Sequence, residues 1–197
     1  MLDAAGDPLE PIYRQHLTQT RRAMTAHLPR LRALATGYDL AIEFGVKHGA
    51  SSTALLLGAR QVISYDVVAT PQARALQTVA GARWDYRIQD SRTAPPTACD
   101  LLFIDSLHTY AQVSAELRRH AVGVRRCLVF HDTITFGSIG ANGESGKWIW
   151  RQEPGVAVTR DHLGIRPAID ELMIADRSWQ IAAHYADSHG LLVLERR

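Results

Sequence analysis

The sequence predicts an α/β fold built on a mostly parallel sheet, and three observations carry that prediction. Short apolar runs alternate with segments of helical periodicity from Asp39 to Asp132, the pattern of right-handed βαβ units. These runs end on or beside polar residues: Glu43, Asp66, Asp90, Asp105 and the pair His131-Asp132. The last two runs, Trp179 to Tyr185 and Leu191 to Glu195, are separated by a turn at Asp187 to Gly190. So short a connection joins antiparallel neighbours, and one closing strand must therefore oppose the rest.

Residues 9–36 read as a helical lead-in. Ile12, His16, Leu17, Met24, Leu28, Leu31 and Leu34 recur at roughly helical spacing until Gly37 breaks the pattern. The chain thus divides into a lead-in, 1–37, and a domain, 38–197. The first strand is Asp39 to Glu43, followed by a turn from Gly45 to Gly49 and a helix from Ser51 to Leu57. Val62 to Asp66 is the second strand, after which Thr70 caps a helix that has Pro71 at its first position. Trp84 to Ile88 is the third strand, and Asp100 to Asp105 is the most strongly apolar one. A helix from Tyr110 to Val122 leads to the fifth strand, Cys127 to Phe130. Residues 133–164 are rich in glycine and polar residues, and a loop this long is more often functional than idle. Pro167 to Ala175 forms a last helix before the closing pair.

Composition narrows the function classes. A chain of 197 residues with 46% hydrophobic and 21% charged residues suits one domain with a filled core. The net charge is +2, and the densest basic groups are the doublets Arg21-Arg22 and Arg118-Arg119, so no nucleic-acid partner is expected. Cys99 and Cys127 form no C-x-x-C pair and read as buried thiols of a reducing compartment. The N-terminus lacks a signal-peptide layout and no apolar run is long enough to span a bilayer. The expectation is a cytoplasmic protein with no membrane partner.

In open parallel sheets, ligands bind beyond the carboxyl ends of the strands. The polar residues named above gather at those ends. The turn from Glu43 to Gly49 leads into a helix N-terminus, and its glycines let a ligand approach the backbone. A dinucleotide fingerprint would need glycine at 45, 47 and 50, but Lys47 and Ala50 stand there. Asp66 lies at about the right distance to hold a ribose diol, which keeps an NAD(P)-dependent oxidoreductase as an alternative.

Glu43, Gly45 and Gly49, followed by Ser51-Ser52, resemble the first motif of class I S-adenosylmethionine-dependent methyltransferases. The resemblance is closest to the macrocin O-methyltransferase and cephalosporin-hydroxylase-like branch. It implies a Rossmann-like, seven-stranded sheet in the order 3-2-1-4-5-7-6 with strand 7 antiparallel. It also implies S-adenosylmethionine as cofactor, with Glu43, Gly45, Gly49 and Ser51 in the part that receives its methionine. Asp66 would accept hydrogen bonds from the ribose, and Asp90 with Ser91 would face the adenine.

A second constellation joins Asp105 and His108 to His131-Asp132. In metal-dependent O-methyltransferases an acid ends the fourth strand, a basic residue follows three positions later, and paired ligands end the fifth. The resemblance thus implies a divalent metal at Asp105, His131 and Asp132, with Asp105, His108 and His131 catalytic. This sequence departs from the family where histidine replaces the common lysine and the first of the paired acids. Oxygen ligands suit Mg²⁺ or Mn²⁺, whereas a histidine-containing set also suits Fe²⁺ or Zn²⁺. His108 would take the proton of a substrate hydroxyl; a metal-free alternative makes His131 the base, oriented by Asp132.

His16, His27 and His120 read as surface or satisfied core residues, and His48 as part of the turn. His162, His184 and His189 carry no assignment, and Tyr110 reads as packing. Trp148 and Trp150 are either pocket lining or packing anchors. The substrate expected is a small molecule bearing a hydroxyl, of sugar or natural-product type, and the lead-in would cover the cofactor or a homo-oligomer interface. A non-catalytic cofactor-binding partner subunit is the third reading.

Overall fold

A computed structural model describes residues 6–19, 23–142, 148–149 and 162–197. Seven strands form one sheet: β1 (Leu40–Phe44), β2 (Gln61–Asp66), β3 (Trp84–Ile88), β4 (Cys99–Ile104), β5 (Val124–His131), β6 (Trp179–Tyr185) and β7 (Leu191–Arg196). Their order is β3-β2-β1-β4-β5-β7-β6. Neighbours from β3 to β5 pair in parallel, and β7 runs antiparallel to both β5 and β6. The expected topology is thus the observed one. β4 is buried along its whole length, which fits its unbroken apolar run: a central parallel strand has helices on both faces.

Those helices are α1 (Glu10–Leu17), α2 (Leu28–Ala35), α3 (Ala50–Gly58), α4 (Pro71–Ala80), α5 (Tyr110–His120) and α6 (Arg166–Ala175). One core lies between the sheet and α1 to α4, and the other between the sheet and α5 and α6. The switch point between β1 and β4 puts the loops after these strands side by side.

The lead-in differs from the single run expected. It breaks into α1, a 3₁₀ turn at Ala23–His27, and α2. Pro29 stands in the first turn of α2; it lacks an N–H and restricts the residue before it, so a helix starts there rather than passing through. α2 lies close on α3, because a Cβ at Gly58 would come within 2.5 Å of the Arg32 carbonyl oxygen. Thr70 caps α4 as expected, accepting from the Ala73 amide at 3.2 Å. Strand β5 begins three residues before the apolar run, where Arg125 binds the buried Asp100 carboxylate.

Part of the 133–164 segment folds back on the sheet's carboxyl edge. The Ala141 amide donates to the His108 carbonyl and the Tyr110 amide to the Leu163 carbonyl, both at 2.9 Å. A two-residue ribbon pairs Ala141–Asn142 with Trp148–Ile149. Trp150 lies outside the described residues, and of Trp148 only the backbone is described.

Candidate active site

The turn after β1 is built by backbone necessity. Gly45 has φ +89°, and a Cβ there would lie 2.1 Å from the Asp105 carbonyl oxygen. Only glycine fits where the first turn crosses the end of β4. Gly49 caps α3 at φ +79°, a conformation that glycine adopts at no steric cost. Asp66 closes the turn from the neighbouring strand. One carboxylate oxygen accepts the Val46 and Lys47 amides at 2.9 Å each, and the other accepts the Val68 amide at 3.0 Å. Asp66 therefore shapes the loop that would receive the cofactor as well as lying at its edge.

Three side chains read as cofactor-binding, Glu43, Ser51 and Ser91, are buried and already engaged by other side chains. Glu43 is fully buried, and its carboxylate accepts the hydroxyls of Ser51 and Ser52 at 2.5 Å and of Ser64 at 2.6 Å. Burial pushes its pKa up to about 7 despite those three donors. Glu43 and Ser51 thus brace the turn from behind, because both carboxylate oxygens are already engaged. Ser91 is also buried; its hydroxyl donates to Glu116 of α5 and accepts from Gln112. Asp90 stays at the surface of the β3 loop with the Arg92 guanidinium on its carboxylate. Glu116 also accepts from Ser106 at 3.0 Å, so one buried acid ties the loop after β3 to the loop after β4. Sequence reasoning missed Glu116 and Gln112. Their spacing of four, a polar pair on the buried face of an amphipathic helix, was the signal available.

The second constellation converges. His108 Nε2 lies 3.2 Å from Asp105 Oδ1 and 3.0 Å from Asp132 Oδ2. His131 Nδ1 lies 3.0 Å from Asp105 Oδ1 and 3.3 Å from Asp132 Oδ2. Two carboxylates are thus bracketed by two imidazoles where β4 and β5 end, directly below the Gly45 turn. The His108 ring stacks on Phe136, with centroids 4.8 Å apart. Asp132 holds φ +60°, a strained value for a residue other than glycine and of the kind concentrated at functional sites.

The electrostatics follow from this packing. Burial alone would lower both histidines, but the hydrogen bonds and charges of Asp105 and Asp132 raise His108 to about 9 and His131 to about 10. Burial would raise the two acids; the imidazoles overcome it and hold Asp105 and Asp132 below the usual carboxylate range.

The ring nitrogens have different surroundings. His131 Nε2 lies 3.1 Å from the Ser188 carbonyl oxygen; a carbonyl only accepts, so Nε2 carries the hydrogen. Nδ1 faces both carboxylates, and the side chain is only 4% exposed, so both nitrogens of His131 are engaged within the protein. His108 has its Nε2 on the carboxylates, while its Nδ1 is buried and makes no hydrogen bond among the described residues.

The donor set suits a divalent cation. Asp105, His131 and Asp132 each offer one ligand atom, all within 4.8 Å of one another. The Ser188 carbonyl fixes the tautomer that leaves His131 Nδ1 able to ligate once unprotonated. Cys99 and Cys127 play no part: both are buried, and burial pushes each thiol up to about 12.

Residues 42–133, from β1 to just past the His131-Asp132 pair, match a family model described as a methyltransferase domain. No curated protein matches the chain in sequence. Among solved structures, an O-methyltransferase from Bacillus cereus in complex with SAH superposes with a TM-score of 0.61 at 15% identity, covering 100% of this chain and 94% of that one. The N-methyltransferase NodS from Bradyrhizobium japonicum WM9 gives 0.59 at 16% identity over 97% and 98% of the two chains. The 1,6-didemethyltoxoflavin-N1-methyltransferase from Burkholderia thailandensis gives 0.60 at 17% identity over 95% and 84%. Both O- and N-methyltransferases share this fold, so the fold leaves the acceptor atom open. The sheet order and these superpositions give the chain the fold of the class I methyltransferases, and residues 42–133 are similar to a methyltransferase domain.

Proposed function

We propose that the protein transfers the methyl group of S-adenosylmethionine to a hydroxyl of a small molecule, of sugar or natural-product type, with a divalent cation held by Asp105, His131 and Asp132. One observation carries this reading: two carboxylates and two imidazoles converge beneath the Gly45 turn. Gly45, Gly49 and Asp66 would form the cofactor cradle, Asp90 its adenine edge, and Glu43, Ser51 and Ser91 the buried braces behind it. A bound cation, Mg²⁺ or Mn²⁺ by its oxygen donors and Fe²⁺ or Zn²⁺ by its histidine, would supply charge that acidifies the substrate hydroxyl.

His108 is the base in this reading. Its Nε2–H is held by Asp105 and Asp132, and its Nδ1 is without a hydrogen-bond partner among the described residues. That Nδ1 would take the hydroxyl proton once the ring is neutral. A bound cation that drew off the carboxylate charge would bring the ring's raised pKa of about 9 down toward that state. S-adenosylmethionine held by the Gly45–Gly49 turn and Asp66 would supply the methyl group to that oxygen and depart as S-adenosylhomocysteine. We further propose a cytoplasmic protein with a small-molecule substrate, able to form a homo-oligomer and without nucleic-acid or membrane partners. Among the described residues no helix is long and apolar enough to cross a membrane. The domain division is proposed at 37/38, with the lead-in as an integral strap.

The test is calorimetric titration of S-adenosylmethionine into the protein with EDTA and then with Mn²⁺, followed by methyl transfer to a panel of hydroxylated acceptors. Cofactor binding with cation-dependent turnover supports the reading. His108→Ala should lower kcat by about 10²- to 10⁴-fold while cofactor affinity is kept. Binding of NAD(P) in place of S-adenosylmethionine would overturn it. Cofactor binding with no transfer to any acceptor would favour a partner subunit.

A further inference from the structure

His27 belongs to the 3₁₀ turn of the lead-in, far in sequence from the strand ends, yet it is fully buried against the site. Its ring meets that of His131 edge to face, with centroids 5.4 Å apart. Its Nε2 lies 3.1 Å from the Asp187 carbonyl oxygen and 3.2 Å from that of Ser188. The Ser188 oxygen is the same one that His131 Nε2 reaches.

The protonation of His27 is fixed by its partners. Arg30 Nη1, which can only donate, lies 2.8 Å from His27 Nδ1. Nδ1 therefore accepts and Nε2 carries the hydrogen toward the two carbonyls. Arg30 also grips both carboxylate oxygens of Asp187, at 2.9 and 3.0 Å. Arg30 thus donates to His27, and His27 and His131 each donate an Nε2–H to the same Ser188 carbonyl.

The turn that presents this carbonyl would not hold itself. Ser188, His189 and Gly190 have φ of +47°, +71° and +97° in succession. Two of the three are not glycine, and such a conformation persists only where its surroundings impose it. Here Arg30 and His27 hold the turn from the lead-in side, and His131 meets it from the site.

We propose that His27 is a positioning residue: by clamping the Ser188 carbonyl it fixes His131 with Nε2–H outward and Nδ1 turned to Asp105 and Asp132, so cation affinity depends on the N-terminal lead-in. The inference rests on the proposed cation site. It predicts no contact of His27 with cofactor or substrate.

Calorimetric titration of Mn²⁺ in the presence of saturating S-adenosylhomocysteine tests it, on the full chain. Wild-type protein should bind Mn²⁺, and Asp132→Asn should abolish the signal. His27→Phe keeps a ring against His131 but loses the donor; it should weaken Mn²⁺ binding by about 10- to 100-fold and leave S-adenosylhomocysteine affinity unchanged. His27→Gln returns an N–H donor and should recover most of the loss. If Asp132→Asn abolishes binding while His27→Phe binds Mn²⁺ like wild type, the inference falls and the cation site stands. If wild type binds no Mn²⁺, the cation site falls first and the inference with it. Should His27→Phe fail to fold, Arg30→Met at the half-exposed rim must weaken Mn²⁺ in the same direction; unchanged affinity there overturns the clamp.

Discussion

At the scale of single residues, the site rests on groups whose chemistry is set by what surrounds them. Glu43 is the clearest case for a stability measurement. Its folded pKa of about 7 lies above the ordinary 4.5, so the folded state binds the proton more tightly than the unfolded chain. The folded form is favoured below pH 4.5 and loses that advantage as pH rises through 7. A shift of this size corresponds to about 3 kcal/mol. Replacing Glu43 with Gln should flatten this part of the profile. Urea unfolding at pH 5 and pH 8 should show the variant gaining relative to wild type at the higher pH; an equal difference at both would show that the carboxylate is not the titrating group. The two turn glycines offer a paired comparison. At Gly45 a Cβ meets backbone, the Asp105 carbonyl at 2.1 Å, whereas at Gly49 it meets the end of the Leu76 side chain at 2.6 Å. Both substitutions incur the cost of a left-handed residue, about 1–2 kcal/mol, but Leu76 can swing away and a strand end cannot. Gly45→Ala should therefore lower the melting temperature more than Gly49→Ala, and it alone should weaken S-adenosylmethionine binding by about tenfold or more, because it pushes the turn off β4.

At the scale of elements, most of the sheet is legible in the sequence. The apolar stretches Leu40 to Ile42 of β1 and Leu101 to Ile104 of β4 do not alternate with polar residues because helices cover both faces of those strands, and Asp187 to Gly190 is too short to join anything but antiparallel neighbours. The positions of Asp105, His108, His131 and Asp132 at strand ends are legible for the same reason. What the sequence hides is which way side chains face and what they meet across the fold. Glu43 and Ser91 stand at strand ends like Asp66, yet they turn inward; the Ser64 and Glu116 partners that draw them lie 21 and 25 residues away. His27 meets Ser188 across 161 residues, a separation no local pattern reports. α5 shows what such a hidden contact does. Glu116 joins Ser91 and Gln112 to Ser106, so its removal leaves several buried donors without an acceptor. Glu116→Ala should cost about 2–4 kcal/mol and loosen both loops. Hydrogen exchange would then rise at residues 89–94 and 105–109 together; a rise in one loop only would mean that Glu116 does not join them.

At the scale of the whole molecule, the lead-in is the element whose role the sequence leaves most open. A division at residue 37/38 would make it an appendage, but its packing points to a structural share in the domain. Leu9, Leu28 and Leu31 are wholly buried and Tyr13 nearly so, all within the core that α3 and α4 share with the sheet. At about 1.5–3 kcal/mol for each large apolar side chain, these four contribute on the order of 6–12 kcal/mol. That rivals the whole stability of a typical domain, about 5–15 kcal/mol. Polar ties add position rather than much energy: Arg83 grips Asp7, and Arg32 grips Glu10, both pairs half-exposed and screened by solvent. A chain beginning at residue 38 would also uncover Gly58, against which α2 closes, and would lose the His27 and Arg30 clamp on the hairpin turn. The expected outcome is that residues 38–197 alone give no cooperative thermal transition and no S-adenosylmethionine binding, while adding the 1–37 segment in trans restores neither fully, since its helices are too short to persist unpacked. A truncated chain that melts cooperatively and binds cofactor as the full chain does would show instead that the sheet and the helices that follow residue 38 are sufficient, and that the lead-in acts on the cation site alone.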